Sequence, residues 1–113
     1  MIRLYPKQLK EVMQVSKFSF RDVKKAIWPV ELPDGRTITI RQPTKADADV
    51  LQAVLNTSDI SEIYPGLAYI LSCNAEQIEF SVSDVESAFD FQDLTAFFSA
   101  YTEFLLESSD VKN

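Results

Sequence analysis

Apolar residues recur at helical spacing along most of this chain, but one segment switches to strict alternation. In residues 30–41, apolar and polar positions alternate on both sides of Pro33-Asp34-Gly35-Arg36. Proline presets the φ of a turn and glycine permits a positive φ, so this pattern predicts a β-hairpin. Because a two-stranded hairpin is marginally stable by itself, we expect it to pack on helices or to accept a partner strand along one of its two exposed edges.

Helical spacing is clearest near the end of the chain. Residues 91–107 carry an apolar stripe with aromatic side chains, and Asp90 stands where a helix N-cap is needed. The stripe consists of Phe91, Leu94, Phe97, Phe98, Tyr101, Phe104 and Leu105. Such a stripe is typical of core packing; alternatively, part of it stays exposed as a partner groove or an oligomer face.

Caps and apolar periodicity predict shorter helices elsewhere. The first two cover residues 6–15 and residues 20–27, the second with Phe20, Val23 and Ile27 buried. The next opens at Thr44, with Asp47 three residues later, and a short apolar helix follows Pro65-Gly66. Helical turns are then predicted to begin at Asn74 and at Ser81.

The fold class that follows is mainly α with one β-hairpin, a small α+β fold in which helices pack on the two-stranded hairpin. A chain of 113 residues suffices for one modest core, so we expect a single domain overall. Within it, residues 1–29 are expected to form a helical N-terminal extension, residues 30–107 a core of hairpin and helices, and residues 108–113 a frayed tail.

The composition is that of a globular protein, with 46% apolar residues and no run near the roughly 20 residues that a membrane span needs. The N terminus also lacks the apolar region of a signal peptide, so we expect the protein to stay in the cytoplasm. Its one cysteine, Cys73, leaves no internal disulfide and is interpreted as a buried small apolar residue rather than a nucleophile.

Several residue types that carry chemistry are missing or scarce. The chain has no histidine and two glycines, which removes the commonest general base and leaves no P-loop or dinucleotide fingerprint. One cysteine does not make a zinc ribbon. The nearest carboxylate pairs, Asp47/Asp49 and Asp84/Glu86, are two residues apart and do not face each other on a helix. We therefore expect neither catalysis nor a cofactor or metal.

Charge divides the chain into two unlike parts. Residues 1–45 hold ten Lys/Arg and four Asp/Glu, whereas residues 46–113 hold one and thirteen. The basic face of residues 7–25 is either a solvated surface, a contact for an acidic surface, or, least favoured in an acidic chain, a contact for nucleic acid. Because the acidic surface on offer is the C-terminal part of this same chain, we hypothesise that the two parts attract each other, within one chain or between copies.

The order of motifs in residues 30–106 resembles the tail assembly chaperones of contractile-tailed phages and related prophages. The hairpin is followed by Arg41-Gln42-Pro43-Thr44-Lys45-Ala46-Asp47, which is similar to the R-x-P-T-x-x-D segment of that family. Residues 65–73 resemble its L-A-x-x-L helix, residues 74–78 its x-x-E-x-I turn, and residues 82–85 and 94–105 its closing segment and aromatic helix. Residues 1–29 depart from the family pattern.

The resemblance implies a binding role without catalysis. Such chaperones coat the long helical tape measure protein, keep it soluble, and yield to the tail-tube protein as the tube polymerises in the host cytoplasm. Helix-in-groove recognition suits a helical client, and strand addition suits a hairpin edge. The partner-binding candidates are Phe97, Phe98, Tyr101, Phe104 and Leu105 on the last helix, and Thr37, Thr39 and Arg41 on the hairpin edge.

Three other kinds of protein share these features. One is a small structural component of a virion, at the tail, baseplate or head–tail junction, which would be found in purified particles. Another is a phage-encoded protein that binds one host factor at a defined stoichiometry. The third is an unrelated bacterial adaptor domain, whose gene would lie outside any tail operon.

Overall fold

An antiparallel hairpin followed by helices makes up the fold, as the sequence predicts. The computed structural model describes residues 16–109; the helix predicted at residues 6–15 lies outside them. The strands are β1 (Trp28–Glu31) and β2 (Thr37–Ile40), and the helices are α1 (Lys45–Asn56), α2 (Ile63–Leu71), α3 (Val82–Ala88) and α4 (Phe91–Ser109). Short 3-10 turns occupy Phe20–Asp22 and Ile60–Glu62.

The hairpin closes at the predicted turn. The Gly35 N–H donates to the Leu32 carbonyl at 2.9 Å, and Gly35 takes a φ of 93°, which a residue with a Cβ adopts only with strain. The register pairs Trp28 with Ile40 and Val30 with Ile38. Because side chains alternate along a strand, the face that carries these residues turns toward the helices.

The core lies between this face of the hairpin and the helices α1, α2 and α4. Its most deeply buried side chains come from β2, α2, α3 and α4: Ile38, Ile40, Leu67, Ile70, Leu71, Val85 and Tyr101. Leu51 and Val54 contribute from α1, so every α-helix supplies at least one residue to a single apolar cluster.

Reciprocal caps fix where the helices begin, and those predicted at Thr44, Ser81 and Asp90 are confirmed. Thr44 and Asp47 form a capping box before α1, and Ser81 and Asp84 form another before α3. At α4, the Asp93 N–H donates to the Asp90 carboxylate at 2.9 Å. Each cap satisfies N–H groups that the first turn of a helix leaves without a partner.

The helix predicted over residues 20–27 is wrong. A single 3-10 turn covers Phe20–Asp22, and the chain is extended from Val23. Phe20 is 80% exposed and Ile27 is 64% exposed, so the predicted apolar face meets no core. A helix this short depends on tertiary packing, and Trp28 before Pro29 already favours extended geometry.

The helical turn predicted at Asn74 is also wrong. Asn74 forms an isolated bridge with Ile40, and its side-chain amide donates to the carbonyls of Leu71 and Ile78. Gln77 takes a φ of 62°, a left-handed conformation that does not continue a helix. Contact with β2 therefore overrides the local cap signal in this segment.

Two helix boundaries differ from the prediction. Helix α2 begins at Ile63 and continues through Pro65-Gly66 instead of starting after them. Pro65 is its third residue, where the missing N–H has no intrahelical partner to lose. Helix α4 continues to Ser109, and Ser108 is buried.

Candidate partner-binding surface

Most of the predicted aromatic anchors on α4 lie inside the protein. Phe98, Tyr101 and Phe104 are buried core residues, so the assignment of these three as surface anchors is wrong for the described fold. Burial also raises the pKa of the Tyr101 hydroxyl. Phe97 and Leu105 are half-buried at the margin of the core. The core-packing interpretation of the stripe therefore accounts for most of it.

Trp28 covers one flank of this stripe, a role that the sequence interpretation missed. Its indole stacks on Phe97 with ring centroids 5.6 Å apart and packs against Phe104 at 5.4 Å. Trp28 lies two residues before Val30, so the alternation that predicts the hairpin also places it on the core-facing side. Extending the predicted strand by two residues would have found it.

An open depression lies beside Phe97, between β1 and α4. It has a volume of about 450 Å³, and most of its lining is apolar. We call it the apolar groove; its apolar lining is Val30, Leu32, Leu67, Leu71, Phe89, Ala96 and Phe97. Two acidic residues, Glu31 and Asp93, also line it. Phe97 is the predicted anchor that this groove retains.

A second depression lies at the turn of the hairpin, between that turn and α3. Its volume is about 470 Å³, and we call it the hairpin groove. Its apolar lining includes Leu32, Ile78, Phe80 and Phe89, and its charged lining is Asp34, Arg36, Glu79 and Asp84. The two grooves share Leu32, Pro33, Ala88 and Phe89, which separate them as a ridge.

The outer edge of β2 is already covered, which corrects the prediction that it binds a partner strand. The Thr39 carbonyl accepts the N–H of Ala75 at 2.9 Å, and the Arg41 N–H donates to the Cys73 carbonyl at 3.1 Å. The Thr39 N–H and hydroxyl both donate to the Glu76 carboxylate at 2.9 Å. Thr39 and Arg41 are therefore internal contacts, and Thr37 is the exposed one of the three.

The edge of β1 is poorly suited to strand addition. The Leu32 N–H donates to the Arg36 carbonyl, and with this register the alternate residues Pro29 and Glu31 direct their backbone groups away from β2. Pro29 has no N–H to offer a partner strand. Proline at such a position is a common protection against edge-to-edge association.

The charged residues at the end of β2 form a structural network rather than a reactive site. Asp47 is 1% exposed and accepts hydrogen bonds from Arg41 Nη1 and Tyr69 Oη, both at 3.0 Å. Cys73 Sγ lies 3.2 Å from Arg41 Nη2, and burial raises the pKa of the Cys73 thiol, with Asp47 nearby adding to the shift. A thiol kept neutral is a weak nucleophile, in agreement with its interpretation as a buried small residue.

The N-terminal part of the described chain is an exposed arm, residues 16–27. Phe18 and Phe20 pack edge to face with ring centroids 4.8 Å apart, yet they remain 69% and 80% exposed. The root of the arm is fixed, because the Ala26 N–H donates to Gln42 Oε1 at 2.8 Å. The arm carries four Lys/Arg residues and one acid.

Three of the four carboxylates considered as pairs from the sequence make local structural contacts. Asp47 and Asp84 serve in capping boxes, whereas Asp49 pairs with Lys45. Across residues 16–109, no group of three or more His, Cys, Asp or Glu side chains is arranged to hold a metal ion. Within the same residues, no helix has both the length and the apolar character to cross a membrane.

Comparison of the chain with protein-family models, with curated proteins and with solved structures finds no match in any of the three.

Proposed function

We propose that this protein is a phage tail assembly chaperone that holds an apolar stripe of the helical tape measure protein in its apolar groove. The observation that carries the proposal is the groove itself, an open depression whose mostly apolar lining includes the half-buried rings of Phe89 and Phe97. Apolar grooves with polar residues at their rim are a common form of protein-binding surface. The action takes place in the host cytoplasm during phage assembly.

The motif resemblance supports this proposal through the fold rather than through the binding residues. In the R-x-P-T-x-x-D segment, Arg41 pairs with Asp47, and Thr44 caps the helix whose first turn contains Asp47. These residues join β2 to α1. In the following turn, Glu76 ties residues 74–78 to Thr39. The residues of these motifs thus make contacts that define the fold. Similarity in them therefore points to a similar architecture.

The groove suits the client by shape and chemistry. An amphipathic helix presents apolar side chains at i, i+3, i+4 and i+7, and the groove offers Phe97, Phe89 and Val30 as apolar contacts. Glu31 and Asp93 favour basic residues that flank the client's stripe. Because the groove is open rather than enclosed, affinity per copy stays modest, so that tail-tube protein can displace many bound copies.

The test is co-expression with the tape measure protein, followed by affinity capture and by size-exclusion chromatography with light scattering. The diagnostic variant is Ala96→Glu, which places a charge in the groove at an exposed helix position. The matched control is Leu106→Glu, which removes a 59% exposed apolar residue from the same helix outside both grooves. We expect several copies per client for the wild type and the control, and few for Ala96→Glu.

If no complex with the tape measure protein forms, the proposal is wrong. A single defined oligomer that persists in purified virions would favour a structural tail component instead. Capture of one host factor at fixed stoichiometry would favour the host-directed alternative. Equal client binding by Ala96→Glu and Leu106→Glu would be compatible with chaperone action but would show that the apolar groove is not the client-binding site.

A further inference from the structure

We propose that the arm of one copy, residues 16–27, docks in the hairpin groove of a second copy, so that the protein associates head to tail. The inference does not rest on the client-binding role above, because it assigns a different groove to a different occupant. The hypothesis that the basic and acidic parts of the chain attract each other is thereby assigned to one segment, the arm, and one surface, the hairpin groove.

The arm has the character of a ligand. Phe18 and Phe20 contact each other but stay mostly in water, at 69% and 80% exposure. Ile27, at the root of the arm, is a third exposed apolar residue. Clustered phenyl rings at the surface are the kind of anchor that protein-binding surfaces bury.

The hairpin groove has matching room and chemistry. Its volume of about 470 Å³ exceeds the roughly 150 Å³ of a cavity that holds one benzene ring, so it can admit both phenyl groups. Ile78 and Phe80 provide apolar contacts for the rings. Phe80 and Ile78 are half-buried, which leaves apolar surface for a partner to cover.

The charges that line this groove are complementary to those of the arm, which favours the arm as its occupant. The groove lining contains three acids and one base, Asp34, Glu79, Asp84 and Arg36. Arg36 is already paired with Asp34 at 2.7 Å, so the surroundings are net acidic. The arm contains Lys17, Arg21, Lys24 and Lys25 against Asp22. Opposite charges of this kind favour encounter and fix orientation.

The placement of the two partners favours a second copy. The arm is rooted by Gln42 at the open end of the hairpin, whereas the groove lies at its turn. A ligand at one end of a protomer and its receptor at the other produce a heterologous contact, which closes into a ring or grows into a chain of copies. Copies linked in this way would present repeated apolar grooves along an elongated partner.

The first test measures self-association by sedimentation velocity over a range of protein concentrations. The arm variant is Phe18→Ser/Phe20→Ser, and the groove variant is Glu79→Lys. The control is Glu86→Lys, an exposed acid on α3 that lines neither groove. We expect the arm and groove variants to weaken association roughly tenfold or more and the control to match the wild type. Raising salt from about 0.05 M to about 0.5 M should also weaken wild-type association.

Mixing gives the decisive outcome. The groove variant keeps an intact arm and the arm variant keeps an intact groove, so a mixture should form one-to-one heterodimers that neither variant forms alone. All four replaced side chains are exposed, and circular dichroism with urea unfolding should show native stability for each protein. A monomeric wild type at all concentrations, an arm variant that associates normally, or a mixture that stays monomeric would overturn the proposal.

Discussion

Asp47 joins three parts of the fold through one buried carboxylate. It accepts the Thr44 N–H at 3.0 Å as a cap of α1, the guanidinium of Arg41 after β2, and the hydroxyl of Tyr69 on α2. A buried charge is stable only when such partners surround it. The hydrogen bond from Tyr69 to Asp47 raises the pKa of the Tyr69 hydroxyl, because only the protonated hydroxyl can donate it.

Replacing Asp47 should therefore destabilise the fold far more than replacing its neighbour Asp49. Asp47→Asn removes the charge that pairs with Arg41, whose 43% exposed side chain water can solvate instead, and we expect the free energy of unfolding to fall by about 2 kcal/mol. Asp49→Asn breaks an ion pair with Lys45 in which both side chains are mostly exposed, so the loss should stay under about 0.5 kcal/mol. Urea unfolding monitored by circular dichroism measures both, and equal losses would contradict this account of Asp47.

Glu76 makes the attachment of residues 73–76 to β2 dependent on pH. The N–H and hydroxyl of Thr39 donate to its carboxylate, and these hydrogen bonds lower the pKa of Glu76 below its ordinary value of 4.5. A lowered pKa in the folded state means that the ionised carboxylate stabilises the fold above the unfolded pKa. That stabilisation is lost as the pH falls through the folded pKa.

The comparison of Glu76→Gln with the wild type should reveal this dependence. At pH 7 the variant should unfold at lower urea concentration, because the amide lacks the charge that strengthens both hydrogen bonds. Below about pH 4.5 the difference should shrink as Glu76 of the wild type is protonated. Glu79→Gln serves as the control for removing an exposed acid nearby. A difference between wild type and Glu76→Gln that is the same at pH 3 and pH 7 would refute the role of the ionised group.

Packing between α1 and α2 depends on the absence of a side chain at Gly66. A Cβ built there would overlap Cγ2 of Val54 and lie 3.7 Å from Cγ1 of Val50. Gly66 also lies inside a helix, where alanine is favoured by about 1 kcal/mol in propensity. Steric overlap and propensity thus act in opposite directions at one position, and valine is a stiff neighbour that has few rotamers to move into.

We expect overlap to dominate, so that Gly66→Ala lowers stability by about 1–3 kcal/mol despite its better helix propensity. Val54→Ala alone should also destabilise, because it leaves a cavity. The double variant should lose less than the sum of the two, since the smaller residue at 54 makes room for the methyl group at 66. Strict additivity in denaturant unfolding, or a Gly66→Ala protein more stable than the wild type, would show that the helices adjust freely.

Elements with their own local signals were predictable from the sequence. The hairpin turn at Gly35 and the reciprocal caps at Thr44 and Ser81 involve neighbours in the chain, and each lies where the pattern predicts it. Asn74 looked like another cap. Its backbone instead pairs with Ile40, 34 positions earlier, and such a long-range contact leaves no mark in the local pattern.

The candidate site was less predictable, because amphipathic spacing identifies an apolar face but not what covers it. Phe98 and Tyr101 lie on the stripe of α4 and are enclosed by the hairpin and the other helices. Phe20 lies on an equally plausible stripe and is exposed on the arm. Only the three-dimensional arrangement distinguishes a core face from a binding face.

Cys73 lies where β2, α1 and α2 meet, so the accessibility of its thiol depends on how these elements pack. It is buried, its carbonyl accepts the Arg41 N–H next to β2, and its thiol lies against Arg41 and 3.7 Å from Asp47. Its own N–H donates to the Ile70 carbonyl at the end of α2. Exposing the thiol therefore requires β2, α1 and α2 to separate, which is close to unfolding the whole core.

Alkylation of Cys73 should accordingly follow global unfolding. In the native protein at pH 8, we expect a labelling rate lower than that of the urea-unfolded chain by a factor near the folding equilibrium constant. Burial also raises the pKa of the thiol, so the small reactive fraction belongs to unfolded molecules. Asp47→Asn should speed labelling in proportion to its loss of stability, whereas Asp49→Asn should leave it near the wild-type rate. The alternative outcomes are fast labelling in the stable native protein, or a labelling rate that the Asp47 substitution does not change. Either would mean that the segment around Cys73 opens locally and that the network does not couple the helices to the hairpin.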